Sequence, residues 1–179
     1  GQVEIITSSA AAAEGAEITA AVGDETEHWT PARGGPDLAE VLDRNLAKSG
    51  SRMMETCNAW EPGIGSVAEP TYDAWIAQEE GRTRGKGRIL YDARVAPADV
   101  DLADEGQLLK ALEHVYGDCW WVDLQPIMNR IYSPKNPPDV SRRFYLNQPV
   151  ASADSWITAP EWAGALDLEK EVQPGDLIT

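Results

Sequence analysis

The sequence predicts an α/β fold, a parallel sheet with flanking helices, that gives way after about residue 95 to a mostly helical second part. Three observations carry this expectation. Apolar runs alternate with helical patterns from residue 1 to about 95, and the later apolar pieces are helical and broken by the proline-rich SPKNPP. A chain of 179 residues can also bury roughly two-thirds of its surface in a packed core.

The strand candidates are VEIIT (3–7), EITAAV (17–22), RMMETC (52–57) and RILYDARV (88–95). Between the second and third, DLAEVLDRNLAKSG sets Leu38, Val41, Leu42 and Leu46 on one helical face. Asp37 stands near its start, Lys48 near its end, and Gly50 stops it. SVAEPTYDAWIAQEE opens on a capping-box pattern, Ser66 with Glu69, and places Tyr72, Trp75 and Ile76 along a stripe. EGQLLKALEHVYG, DLQPIMNRIY and DVSRRFYLNQ read as the later helices, and the polar, proline-containing APADVDLADE (96–105) reads as a linker. The expected division is an α/β part over 1–99, a helical subdomain over 100–170 and a further strand beginning at 171–179.

Thirty acidic residues against fifteen basic ones give a net charge of −15, a field that repels nucleic acid and restricts any DNA contact to a local patch. Cys57 and Cys119 form no CxxC pair, so neither a zinc site nor a disulfide framework is indicated, and a reducing compartment is expected. No apolar run reaches the roughly 18 residues of a membrane span, and no signal-peptide layout opens the chain, which therefore reads as soluble. The chain begins at Gly1 close to the strand-like VEIIT and closes on the strand-like PGDLIT, which reads as a fragment of something longer.

The chemistry-bearing stretch is ITAAVGDETEHW, residues 18–29, an apolar run ending on Asp24 and Glu25. Ligands of open α/β sheets sit beyond the carboxyl ends of the strands, so two acids there point into a site. An apolar strand ending in Asp-Glu matches the Walker B pattern of P-loop ATPases, in which the Asp orders Mg2+ and its waters and the Glu polarises the attacking water. A strand that merely ends in a solvated acidic turn gives the same pattern.

Four stretches, IITSSAAAAEG, VGDETEHW, LDRNLAKSGSRMMETCNAWEPGIGSVAE and SPKNPPDVSRRFYLNQPVASADSWITAPEW, together span almost the whole chain. Their combination resembles the ATPase region of the large terminase subunit of tailed double-stranded DNA phages. The resemblance implies an incomplete P-loop NTPase sheet of the RecA-like kind, with Asp24 as the Walker B aspartate holding Mg2+ through water and Glu25 as the catalytic glutamate. It implies that ETCNA is the coupling motif, whose Thr56 and Asn58 sense the nucleotide state. Residues 100–170 would be the family's linker region and PGDLIT the first strand of its nuclease domain. The parent would hydrolyse ATP to drive double-stranded DNA into a capsid, acting in the host cytoplasm with a portal protein, a small terminase subunit and copies of itself. Two of the family's features are missing from these 179 residues: the glycine-rich P-loop with its lysine, and the metal-binding acids of the nuclease. Gly23 also departs from the pattern as a flexible residue inside a strand.

Other features have plain structural readings. Thr56 and Asn58 could equally cap the turn after a strand. His28 and His114 lack metal-ligand company, and GIGSV lacks the trailing glycine of a nucleophile elbow. The basic RTRGKGR, with Arg82, Arg84, Lys86 and Arg88, could track a phosphate backbone, but in so acidic a chain it reads first as a solvated loop. Arg142 and Arg143 could support a DNA or subunit contact or simply flank a helix anchored by Phe144 and Tyr145, and Trp120 and Trp121 read as core or interface anchors. The rival to the ATPase is a non-catalytic acidic α/β interaction module in which Asp24 and Glu25 form only a turn.

Overall fold

The computed structural model describes residues 3–6 and 10–151. A single helical turn, α1 (Ala10–Ala13), leads into β1 (Ala20–Asp24), and the long helix α2 (Gly35–Ser49) then carries the chain to β2 (Arg52–Thr56). The two strands pair in parallel, Ala20 opposite Arg52 and Asp24 opposite Thr56. Side chains alternate across a strand. Ala21, Gly23, Met53 and Glu55 therefore share the face under α2, while Val22, Asp24, Met54 and Thr56 share the other. Val22 and Met54 on that second face are 65% and 57% exposed.

Helix α2 forms as its sequence predicts. Leu38, Val41, Leu42 and Leu46 are all buried, each worth about 1.5–3 kcal/mol relative to solvent exposure. The helix stops where Gly50 turns left-handed and Ser51 donates its N–H to the Leu46 carbonyl. Its flank holds the preceding chain, with Asn45 Nδ2 donating to the Ala13 carbonyl at 2.8 Å and Ser49 Oγ to that of Ile18 at 2.9 Å.

Two of the strand candidates are not strands. Residues 3–6 lie outside any regular element, Val3 and Ile5 each being 95% exposed, and residue 7 falls outside the described residues. Residues 88–95 also form no ladder. The side chain of Gln78, on α3 (Ala68–Glu79), takes the place of a strand there: it accepts from the Ile89 N–H at 2.7 Å and donates to the Ile89 carbonyl at 3.1 Å. Tyr91 meanwhile stacks on Trp75 with centroids 4.5 Å apart. The capping box at the start of α3 does not form either. Val67 occupies the N-cap in helical geometry, Ser66 is buried without a hydrogen-bond partner, and both oxygens of Glu69 accept from the Gly63 N–H instead. Tyr72, Trp75 and Ile76 are half-buried rather than fully enclosed, with Tyr72 in ring contact with Trp60.

The second part packs α4 (Glu105–Tyr116), α5 (Leu124–Ile131) and α6 (Pro138–Leu146) around Leu108, Leu112, Met128, Ile131 and Leu146. Asp104 caps α4 by accepting from Gln107 N, and Asp123 caps α5 by accepting from Gln125 N. The segment expected to be a linker is drawn into this core. Ala96 and Val100 are buried in it, Ala96 N–H donates to the Leu146 carbonyl, and Arg142 donates to that of Val100. The helical core thus takes in Ala96, four residues before the expected boundary. Trp120 and Trp121, in the turn between α4 and α5, are not core anchors: they are 88% and 67% exposed and meet edge to face. Residues 152–179, which hold the end of the expected helical subdomain and the PGDLIT strand, lie outside the described residues. Among those described, no helix is long and apolar enough to cross a membrane.

Candidate functional site

The parallel pairing brings the two sequence-predicted pieces to one rim. Asp24 ends β1 directly opposite Thr56 at the end of β2, and the Thr56 hydroxyl donates to Asp24 Oδ1 at 2.5 Å. The chain then turns sharply, with Glu25 in the left-handed region at φ 54° and ψ 46°, a conformation costly for a residue with a long side chain. Glu25 is left exposed at the rim, and the next two residues are driven inward, Thr26 and Glu27 being 0% and 3% exposed.

Trp29 holds this turn. Its indole N–H donates to the Asp24 carbonyl at 3.0 Å, and its own carbonyl accepts from Val67 N–H at the start of α3. Gly23 has its explanation here. A Cβ at that position would meet Met53 Cε at 2.5 Å, Thr26 Cγ2 at 3.1 Å and the Trp29 ring at 3.4 Å, so a side chain there would displace the Met53 tip and press on Thr26, and close packing favours glycine. Gly35 is subject to the same demand, because a side chain there would run into the Trp29 backbone.

Asn58, two residues beyond Thr56, donates from Nδ2 to Glu27 Oε1 at 3.1 Å. Glu27 is the site residue that sequence reasoning missed. Nothing in DETEHW separates it from its exposed acidic neighbours except the reversal at Glu25, and backbone handedness is not written in the residue type. Its second oxygen, Oε2, has no hydrogen-bond partner. Glu27 lines a cavity of about 310 Å³ together with His28, Glu61, Arg143 and Phe144. Across it, Arg143 pairs with Glu61 at 3.1 Å and with Asp139 at 3.5 Å, while His28 lies tilted against Phe144. Arg143 therefore serves the packing of α6 against the α/β part, and the acid nearest His28 is Glu27 at 3.9 Å.

A much larger groove, about 1620 Å³, runs along β2 towards α3 and residues 88–93, and both Thr56 and Asn58 line it. Glu55, on the covered face, also lines it. Burial pushes its carboxyl above the usual carboxylate range, partly offset by the hydrogen bond that Thr71 donates at 3.0 Å. The Cys57 thiol is pushed up by its partial withdrawal from water and then by the charge of Glu27, which makes it a poor nucleophile. In the basic loop, Arg82 pairs with Glu80 and Arg88 with Glu79, which uses half of its cations on neighbouring acids.

The strand ends offer the oxygens of the Asp24 carboxylate and the Thr56 hydroxyl, and the Asn58 side-chain carbonyl and the Cys57 thiol follow along the groove. A hard cation such as Mg2+ keeps most of its waters and needs one or two carboxylates, so the oxygens of this set fit it. Among the described residues, no group of three or more His, Cys, Asp or Glu converges as a protein cage for a metal.

The chain is similar to proteins of two mycobacterial phages. It is 36% identical over 185 aligned positions to the Gene 13 protein of Mycobacterium phage D29, covering 90% of this chain and 30% of that protein. It is likewise 36% identical over 213 positions to the Gene 13 protein of Mycobacterium phage L5, covering 100% of this chain and 35% of that protein. The chain thus spans about a third of the length of the curated relatives it matches. No protein-family model matches it, and no solved structure does.

Proposed function

We propose that this chain is part of the ATPase of a phage DNA-packaging motor, the later portion of a large terminase subunit's P-loop NTPase core with its helical linker. One observation carries the reading: two strands distant in sequence are parallel neighbours whose carboxyl ends bring Asp24 against Thr56. An acidic turn with no site requires no such convergence. The phage relatives, about three times as long as this chain, are consistent with a parent that holds the missing phosphate-binding loop and a nuclease domain. Among the described residues the sheet has only two strands, which leaves its edges open to further strands, and the face carrying Val22 and Met54 is open to covering helices.

In this reading Asp24 binds Mg2+ through water, with its geometry fixed by the Thr56 hydroxyl. Bound Mg2+ would neutralise charge on the nucleotide phosphates. Glu25, exposed at the rim on a backbone turn held by Trp29, takes the proton of the attacking water. Thr56 and Asn58 report the state of the nucleotide. Double-stranded DNA, a portal protein, a small terminase subunit and further copies of the chain are the parent's partners, and the host cytoplasm is its place of action.

The test is the full-length phage polypeptide with Glu25→Gln, which keeps shape but not basicity. Nucleotide binding is expected to persist while hydrolysis falls by about 10²-fold or more. Equal hydrolysis rates in the two proteins would remove Glu25 from the reaction. The 179-residue chain alone should turn over no ATP, since it holds no phosphate-binding loop.

A further inference from the structure

We propose that Glu27 is a positioning residue that fixes which end of the Asn58 amide faces the groove, so that position 58 offers an acceptor oxygen to a water or hydroxyl instead of N–H donors to a phosphate. This rests on the hydrolase reading above and assigns the direction in which the coupling residue senses.

The argument begins with donor and acceptor chemistry. A carboxylate only accepts hydrogen bonds, whereas a primary amide donates from one end and accepts at the other. Asn58 Nδ2 lies 3.1 Å from Glu27 Oε1, and Glu27 is 3% exposed. The reversed amide would set two acceptor oxygens against each other beside a carboxylate largely withdrawn from water, so the NH2 end is committed to Glu27. Asn58 itself is exposed and lines the large groove, and its Oδ1 has no protein partner among the described residues. The free end of the side chain is therefore an acceptor.

The choice of a carboxylate at position 27 needs this role. Burying an ionised group costs more than burying an amide, and Oε2 is left without a hydrogen bond. A glutamine would close the same turn at lower cost. It would also meet Asn58 with either a donor or an acceptor, and the orientation at the groove would be lost. What glutamate supplies and glutamine does not is an acceptor-only surface.

The orientation is read on the 179-residue chain by NMR of the side-chain amides. One Asn58 NH2 proton should be shifted downfield and slow to exchange, and both signatures should vanish in Glu27→Ala. An unshifted, fast-exchanging Asn58 amide overturns the inference, whether or not the longer protein hydrolyses ATP. Its role is read in the full-length polypeptide. Asn58→Asp should lose about 10²-fold in kcat, because it sets a second carboxylate against Glu27. Glu27→Gln with Asn58→Asp should recover to within about tenfold of wild type, since the introduced glutamine donates and the introduced aspartate still presents an acceptor to the groove. If position 58 instead donates to a phosphate, that double variant regains thermal stability while kcat stays low and KM rises. Glu27→Gln with Asn58→Ala separates positioning from mere packing: wild-type kcat in that variant overturns the proposal, whereas a fall in kcat at unchanged KM and near-native Tm supports it. A wild-type polypeptide with the shifted amide but no ATPase activity would overturn the hydrolase reading and the sensing role, and leave the orientation of Asn58 standing.

Discussion

The helical part and the α/β part close their cores to different degrees. Around α4, α5 and α6, eight buried residues form one cluster in which Leu108, Leu112 and Leu146 are fully enclosed. Under α2, the corresponding cluster among the described residues has four, and Val22 and Met54 on the other side of the sheet are exposed. Helices joined by short connections can cover one another's apolar faces locally, but a parallel sheet is stable when both faces are covered. The uncovered face is the one on which Asp24 and Thr56 stand. The region with the least finished packing is thus the region with the candidate chemistry.

The largest effect that sharpens this contrast is a pair of truncations. Leu112→Ala should cost about 2–5 kcal/mol and lower Tm, whereas Met54→Ala on the bare face should change stability by less than about 0.5 kcal/mol. Urea unfolding of the two variants measures it, and similar losses would mean that the bare face is covered in solution. A smaller effect concerns the covered face. Burial raises the Glu55 carboxyl above its unfolded value, so folding favours its protonated form. Its contribution is fully present below the unfolded value and is lost as pH rises through the folded one. Glu55→Gln, which still accepts from Thr71, should therefore be more stable than wild type at neutral pH, with the difference shrinking as pH falls through the raised folded value and gone below about pH 4. Thermal melts across that range decide it, and a gap that widens in acid would contradict the sign. The smallest effect is at the rim. Glu25→Asn should gain about 0.5 kcal/mol, because Asn tolerates the left-handed backbone better than Glu. A loss of stability would show that the Glu25 side chain makes a favourable contact.

Much of this was legible where a residue pattern has one structural solution. Leu38, Val41, Leu42 and Leu46 repeat at helical spacing and all are buried, and the strands at 20–24 and 52–56 fall within or beside their apolar runs. Legibility failed where a side chain replaced a backbone partner. RILYDARV has strand-forming residues, but at Ile89 the Gln78 side chain takes both backbone hydrogen bonds in place of a neighbouring strand. Ser66 and Glu69 have capping spacing, but Glu69 binds the Gly63 N–H and leaves Ser66 without its expected partner. At the site, Asp24 and Thr56 stand at one rim as their positions suggested, while Asn58 turns to Glu27. Glu27 could not be singled out, because its burial follows from the handedness of one backbone turn.

The exposed indoles of Trp120 and Trp121 have a consequence for optical measurements. Their rings stand 5.8 Å apart at 86°, close enough for their electronic transitions to couple and add a signed band to the far-ultraviolet dichroism. Helix content read from that spectrum without correction would be biased by a single turn. The fluorescence of the same pair starts in water and changes little on unfolding, whereas Trp60, 6% exposed beside Tyr72, moves from a dry surrounding to a wet one. Among the described residues a fluorescence melt therefore weights the α/β part, whereas a dichroism melt follows α2 and α3 there together with α4, α5 and α6.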